Sequence, residues 1–234
     1  MPMARTARER VHQEMTGEIL ATAGAHLARD GAASLSLRSI ARDLEMAPSA
    51  LYRYFSGRDA LLSALILAAY ESLADEAERA SEDAFAGGGS DGDRWLAVPR
   101  AMRSWALIHP NEWSLIFGTP VPGYQAPQDT VVPYARLAGA LVRPMVEAEA
   151  KGRLTLDVLP ASVVDGLGAA VVPVADGLLP GIPVPTVVVA LQAWTTLVGL
   201  ISLELFGHWN NTILDPEVFF EQVIRNVAHS VGLA

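Results

Sequence analysis

"SLSLRSIARDLEMAPSALYRYFSGRDALL", residues 34–62, sets two short apolar repeats on either side of a turn. Leu37, Ile40, Ala41 and Leu44 fall at i, i+3, i+4 and i+7, one face of a helix about two turns long. Ser36 stands where an N-cap side chain accepts the first free backbone N–H. After Glu45-Met46-Ala47, Pro48 occupies the first turn of a new helix, where its missing N–H would have had no partner anyway, and Leu51 and Phe55 share one face of it. Ser56-Gly57-Arg58-Asp59 breaks and restarts the chain: Ser56 is placed as a cap, Asp59 complements the helix dipole, and Leu62, Leu65, Ala69, Leu73 and Ala77 carry a long helix to about Phe85. Upstream, Met15, Ile19, Ala23 and Leu27 step by four to a stop at Asp30-Gly31.

Residues 15–55 therefore read as three short helices, the last two joined by a three-residue turn, which is helix-turn-helix spacing. With Leu51 and Phe55 turned inward, Ser49, Ala50, Arg53 and Tyr54 are left outward and Tyr52 lies at the margin. A helix that enters the major groove needs small residues near its start for close approach to base edges, an arginine for guanine or phosphate, and phenols for phosphate oxygens. The same spacing equally fits an ordinary three-helix corner with a solvated face.

The 234 residues are 51% hydrophobic, with a net charge of −9 and no cysteine, which removes disulfides, thiolate metal sites and cysteine nucleophiles together. The first fifteen residues alternate charge without an apolar run, so they do not read as a secretory signal, and a cytoplasmic protein is the default. Charge is uneven. Residues 1–60 hold eight arginines and seven acids, +1, and the remainder carries −10, an asymmetry that hints at a DNA-facing end and an acidic remainder. Val184 to Leu203 is uncharged and long enough to cross a bilayer, but Thr186, Gln192, Thr195, Thr196 and Ser202 interrupt it and no basic anchor lies close. It reads as a helix buried on most of its surface in a large core or a subunit interface, and no membrane partner is expected.

Downstream, Trp95, Val98, Met102, Ala106 and His109 mark a helix ended by Pro110, and a short helical piece carries Trp113 and Phe117. The remaining helices run from Val131 to Lys151, from Pro160 to Leu179 with a disturbance at Pro173, from Thr186 to Phe206, and from Asp215-Pro216 through Val231. No stretch alternates as a strand, so the expected class is all-α. Gly88 to Gly92 matches G-x-S-x-G and Gly87 to Gly92 matches G-x-G-x-x-G, but those motifs need a preceding strand and a helical stretch precedes them here. The five histidines, 12, 26, 109, 208 and 229, have no i, i+4 spacing and no carboxylate cluster, so neither a metal site nor a cofactor is expected. His109 reads first as a helix-end residue. The aromatic residues of the acidic portion read either as core or, taken together, as an apolar small-molecule pocket.

The quoted stretch resembles the DNA-binding domain of the TetR family of transcriptional regulators. The resemblance lies in Ser36 before the apolar-basic helix, Ile40-Ala41, the turn, Pro48, Leu51-Tyr52-x-x-Phe55, a basic residue and Leu61-Leu62, and it covers roughly residues 10–65. "WALIHPNEWSLIFG", Trp105 to Gly118, is similar to a segment of one broad C-terminal subclass. The resemblance implies an N-terminal helix-turn-helix domain, residues 1–57, and a C-terminal helical bundle for ligand binding and dimerisation, residues 58–234, with nine to ten helices in all. It further implies a regulator rather than an enzyme: a repressor that reads a palindromic operator as a homodimer and releases it when a small molecule binds. The DNA-facing set is then Ser36, Arg38, Pro48, Ser49, Ala50, Tyr52, Arg53, Tyr54 and Arg58. The effector set, for an apolar or aromatic ligand, is Tyr70, Met102, Trp105, His109, Trp113, Phe117 and Trp194. The last two helices are expected to form the dimer, with Leu197 and Ile201 facing the partner.

Three positions depart from the family pattern. Glu45 stands where the turn usually has glycine, suggesting a turn without the left-handed glycine. Ala47 replaces the usual capping serine or threonine, a loss of about 1 kcal/mol. Arg58 replaces lysine and keeps the charge.

Overall fold

The expected restart at residue 56 becomes one unbroken helix, α4, from Arg58 to Ala86. It is followed by α5 (Asp91–Ile108), α6 (Pro110–Phe117), α7 (Val131–Ala150), α8 (Ala161–Gly177), α9 (Val184–Leu205) and α10 (Pro216–Ser230), and preceded by α1 (Ala7–Asp30), α2 (Leu37–Asp43) and α3 (Pro48–Leu51). This computed structural model describes residues 6–125, 127–154, 161–177 and 179–233, and among them there is no strand. The chain is all-α. Pro160, where the sequence starts the eighth helix, lies outside the described residues.

Local chemistry sets several boundaries away from the apolar repeats. Helix α1 begins at Ala7 rather than Met15, because Thr6 and Glu9 close a capping box: the Thr6 hydroxyl accepts from Glu9 N–H at 3.3 Å and the Glu9 carboxylate accepts from Thr6 N–H at 2.8 Å. The T-x-x-E signature was present in the sequence. Helix α4 starts at Arg58, so Gly57 takes the N-cap position, its carbonyl accepting from Leu61 N–H at 3.2 Å, and Ser56 lies one residue too early to cap. Ser90, the serine of the G-x-S-x-G match, caps α5: its Oγ accepts from Asp93 N–H at 3.1 Å and donates to Asp93 Oδ2 at 2.7 Å. Helix α4 precedes it, so no strand-to-helix elbow exists there.

The chain divides into two compact units, residues 1–69 with 111–130, and residues 70–110 with 131–234. In the first, Ile19, Ala23 and Leu27 of α1, Leu37, Ile40 and Ala41 of α2, and Leu51 and Phe55 at α3 form the buried set. Among these lies His26, buried, whose Nε2 donates to Asp43 Oδ2 at 2.7 Å and ties α1 to α2. That hydrogen bond holds the Asp43 carboxyl below the usual carboxylate range. The sequence reading gave His26 no role, although it continues the Ile19, Ala23 stripe.

In the second unit α9 packs against α5, α7, α8 and α10, which explains why its residues 184–203 carry no charge. Leu197 and Ile201, expected to face a partner, are instead fully buried in the protomer's own core. Half of the apolar stretch is buried in this way; by length and composition alone it could cross a membrane. The Arg103 guanidinium clamps Glu204 with two hydrogen bonds of 2.8 and 2.7 Å, joining α5 to α9 where both side chains are largely sheltered from water.

Candidate nucleic-acid interface and effector site

The turn after α2 is a Schellman motif. Met46 N–H donates to the Ala41 carbonyl at 2.8 Å and Glu45 N–H to the Arg42 carbonyl at 3.1 Å, which places Glu45 at the position that needs left-handed backbone. Its φ is +54°, so the turn does without glycine but keeps the left-handed geometry, with a glutamate forced into it. A side chain there costs on the order of 1–2 kcal/mol. Glu45→Gly is therefore expected to stabilise the chain by roughly 0.5–1 kcal/mol, the relief being partly offset by glycine's greater freedom when unfolded. A thermal melt showing no gain would mean that the turn relaxes around Glu45.

Ala47, at φ −65° and ψ 136°, opens α3 with no side-chain cap, as its methyl requires. Ser36 occupies the N-cap position of α2 but its side chain makes no capping bond there, against expectation; its carbonyl instead accepts from Ser39 Oγ at 2.9 Å. Helix α3 is shorter than the sequence suggests, because after Leu51 the chain tightens through Tyr52-Arg53-Tyr54 with N–H bonds from Arg53 to Ala50 and from Tyr54 to Leu51.

On this scaffold Arg38, Pro48, Ser49, Tyr52 and Arg53 are exposed, Tyr52 at 49%, while Ala50 and Tyr54 are half-buried. Leu51 and Phe55 hold the segment by burial beneath them. The Arg53 guanidinium has no hydrogen bond or ion pair among the described residues. Small residues at the helix start, one unengaged guanidinium and two phenols can enter a major groove and meet phosphate oxygens. Tyr54 stacks on His12 of α1, ring centroids 4.7 Å apart. Arg58 is less available than the others: its Nη2 donates to the Ala32 carbonyl at 3.0 Å, tying the start of α4 to the segment after α1.

The expected effector residues fall in both units. Trp113 and Phe117 belong to the first, on α6, with ring centroids 4.5 Å apart and Trp113 fully buried. The other five belong to the second. There Met102 is core, Trp105 donates its Nε1–H to Ser72 Oγ at 3.0 Å, and the ring of His109 lies 4.9 Å from that of Trp105. His109 also closes α5, its backbone N–H donating to the Trp105 carbonyl at 2.8 Å. A small apolar cavity of about 70 Å³ in this unit is lined by Tyr134, Leu141, Val142, Leu179, Leu191 and Trp194 among others, so Trp194 is the one expected residue on its wall. Tyr134 joins the remaining pieces, edge-on to both Tyr70 (5.9 Å) and Trp194 (5.5 Å). Burial pushes the Tyr70 phenol up to about 12, so it is a neutral hydrogen-bonding group at physiological pH. The signal for Tyr134 was its spacing with Leu137 and Leu141 on α7. Among the described residues no group of three His, Asp or Glu side chains is arranged to hold a metal ion.

These features match known proteins along nearly the whole chain. Residues 19–65 match the family model of bacterial regulatory proteins of the tetR family, and residues 95–227 match a tetracyclin repressor-like C-terminal domain. The HTH-type transcriptional regulators Rv1816 of Mycobacterium tuberculosis and Mb1846 of Mycobacterium bovis are each 39% identical over 227 residues, 94% of this chain and 92% of theirs. The crystal structure of SCO4313, described as a regulatory protein, superposes with a TM-score of 0.79 at 33% identity, covering 96% of this chain and all of that one. A Rhodococcus sp. RHA1 protein of unknown function shares the fold, with a TM-score of 0.70 at 24% identity over 99% of both chains. This chain is a helix-turn-helix DNA-binding transcriptional regulator, not an enzyme, and belongs to the TetR family.

Proposed function

We propose that this regulator is a cytoplasmic repressor that binds a palindromic operator as a homodimer and lets go when an apolar or aromatic small molecule enters the acidic unit. The observation that carries the reading is α4. It is one continuous helix whose first turns, to Ala69, belong to the unit with the helix-turn-helix and whose later turns, from Tyr70, belong to the unit with the cavity. A cavity of about 70 Å³ is well below the 300–1,000 Å³ of a ready ligand site. An occupant must therefore repack Tyr134 and Trp194, and that repacking supplies the differential affinity without which a ligand shifts no equilibrium. Tyr70 begins the second unit's share of α4 and meets Tyr134 directly, so displacement of the Tyr134 ring acts on α4. The cavity wall offers aliphatic and aromatic surface with the Tyr134 phenol as a polar handle, which suits a neutral ligand.

Dimerisation is supported by a face of α9. Gln192, Thr195, Thr196, Gly199, Leu203 and Phe206 form a stripe turned away from the core. Thr195 and Thr196 donate their hydroxyls to the Leu191 and Gln192 carbonyls of their own helix, at 2.8 and 2.9 Å, so both hydroxyls are satisfied within α9. A second α9 could approach closely over Gly199, where an added Cβ would meet nothing within 4 Å.

The effector reading is tested by titrating the protein–operator complex with neutral aromatic and aliphatic compounds while following tryptophan fluorescence and DNA release. A Trp194→Ala or Tyr134→Phe chain is expected to bind operator normally and to lose the coupling of about 1 to 3 kcal/mol, 5- to 150-fold in operator affinity. Trp194 is the better probe than Trp113, whose complete burial makes its truncation a stability defect. Release at unchanged ligand concentration by both variants would move the effector site elsewhere.

A further inference from the structure

The N-terminal half of α1 has no core to serve. From Ala7 to Glu18 not one residue is buried, the first being Ile19, so about three helical turns stand clear of the apolar packing that normally sustains a helix. The Thr6–Glu9 capping box and the stack of His12 on Tyr54 help to hold this stretch. The stack sets α1 against the end of the recognition segment, and between them runs an open groove of about 860 Å³. Arg8, His12 and Gln13 line it from α1, and Arg53 and Tyr54 from the other side. Its one acidic side chain, Glu9, is committed to Thr6 N–H at 2.8 Å, whereas the Arg8 and Arg53 guanidinium groups have no ion-pair partner among the described residues.

We propose that this groove seats the phosphodiester backbone of the same duplex that α3 reads, with Arg8 contacting phosphate and His12 acting as a positioning residue that fixes the Tyr54 hydroxyl toward the strand. The inference rests on the DNA-binding role of the helix-turn-helix and extends it to a second element. The groove is continuous with the candidate interface through Arg53 and Tyr54, and its unpaired positive groups complement a polyanion. Backbone contacts of this kind set register without reading sequence. The exposed turns of α1 are thereby explained: they bury their polar face on DNA rather than on protein.

The test is the salt dependence of binding by full-length chains to two duplexes, one from the DNA immediately upstream of the protein's own coding sequence and one of scrambled sequence. Arg8→Ala should weaken binding to both alike and lower the slope of log K against log salt by about one. His12→Ala should weaken both several-fold, and His12→Phe, which keeps a ring against Tyr54, should restore affinity; a residue acting through its own charge would not be rescued in that way. All these positions are exposed, and matched helicity of the free proteins checks that folding is intact. Wild-type affinity and slope for Arg8→Ala, with Arg53→Ala still impaired, overturns the groove and leaves the recognition segment standing. Wild-type binding by Arg53→Ala as well as Arg8→Ala would instead defeat the reading of α3. Altered sedimentation of free Arg8→Ala, with its salt slope unchanged, would make the groove a protein contact and equally overturn the proposal.

Discussion

A Leu203→Glu chain is expected to sediment as a single protomer and to bind operator on the order of 10²- to 10⁴-fold more weakly, the advantage lost when two linked half-site contacts become independent. Leu203 is 44% exposed on the outward stripe of α9. A carboxylate there would have to be stripped of water against its two-fold mate, with a like charge facing it, and such juxtaposition costs several kcal/mol. Two-fold reading needs recognition elements about 34 to 36 Å apart, a spacing that a lone protomer cannot supply. The control is Leu197→Ala on the same helix. Leu197 is wholly buried within the protomer, so its truncation should cost about 2–5 kcal/mol of stability and leave assembly intact below the melt. Dimeric sedimentation of Leu203→Glu would shift the interface to another surface, such as the exposed stripe of α10 through Val218 and Gln222.

Arg53→Ala should weaken operator binding by about 1–3 kcal/mol, 5- to 150-fold, if its guanidinium makes a paired contact to a guanine edge. The residue is exposed and two residues past the buried Leu51, which fixes where its backbone sits without constraining its tip. Arg53→Lys separates the two chemistries that an arginine can bring. Lysine replaces a phosphate contact as a point charge but cannot reproduce a bidentate fork. Failure of rescue, confined to the cognate duplex, marks base readout; rescue on all sequences marks a phosphate contact. Unaltered binding by Arg53→Ala on every duplex would remove Arg53 from the interface.

The all-α class was legible in the sequence because it rests on periodicity, whereas the helix-turn-helix, whose spacing equally fits an ordinary three-helix corner, was singled out by the resemblance of residues 34–62 to the TetR family. Leu37, Ile40, Ala41, Leu51 and Phe55 recur at helical spacing, and each is buried where that spacing puts it. Pro48 and the T-x-x-E pair at Thr6 act within one turn of their own backbone, so local chemistry alone sets those helix starts. What lay beyond reach was the identity of the neighbour. Leu197 and Ile201 read as a partner-facing stripe, yet four helices of the same protomer surround α9 and take that face, leaving the threonine, glycine and Leu203 face outward. An apolar repeat states that a face must leave water; it does not state against what. The positive φ of Glu45 belongs to the same class of fact. Its side chain argues against a left-handed turn, and the packing of α2 and α3 around Leu51 holds it there at a local cost that no short stretch of sequence contains. The His12–Tyr54 and Tyr134–Trp194 ring pairs are likewise tertiary, joining residues from helices whose separate patterns say nothing of one another. Local hydrogen-bonding and helical period are written in neighbouring residues, whereas the choice among equally apolar faces is made only when all the helices compete for the same core.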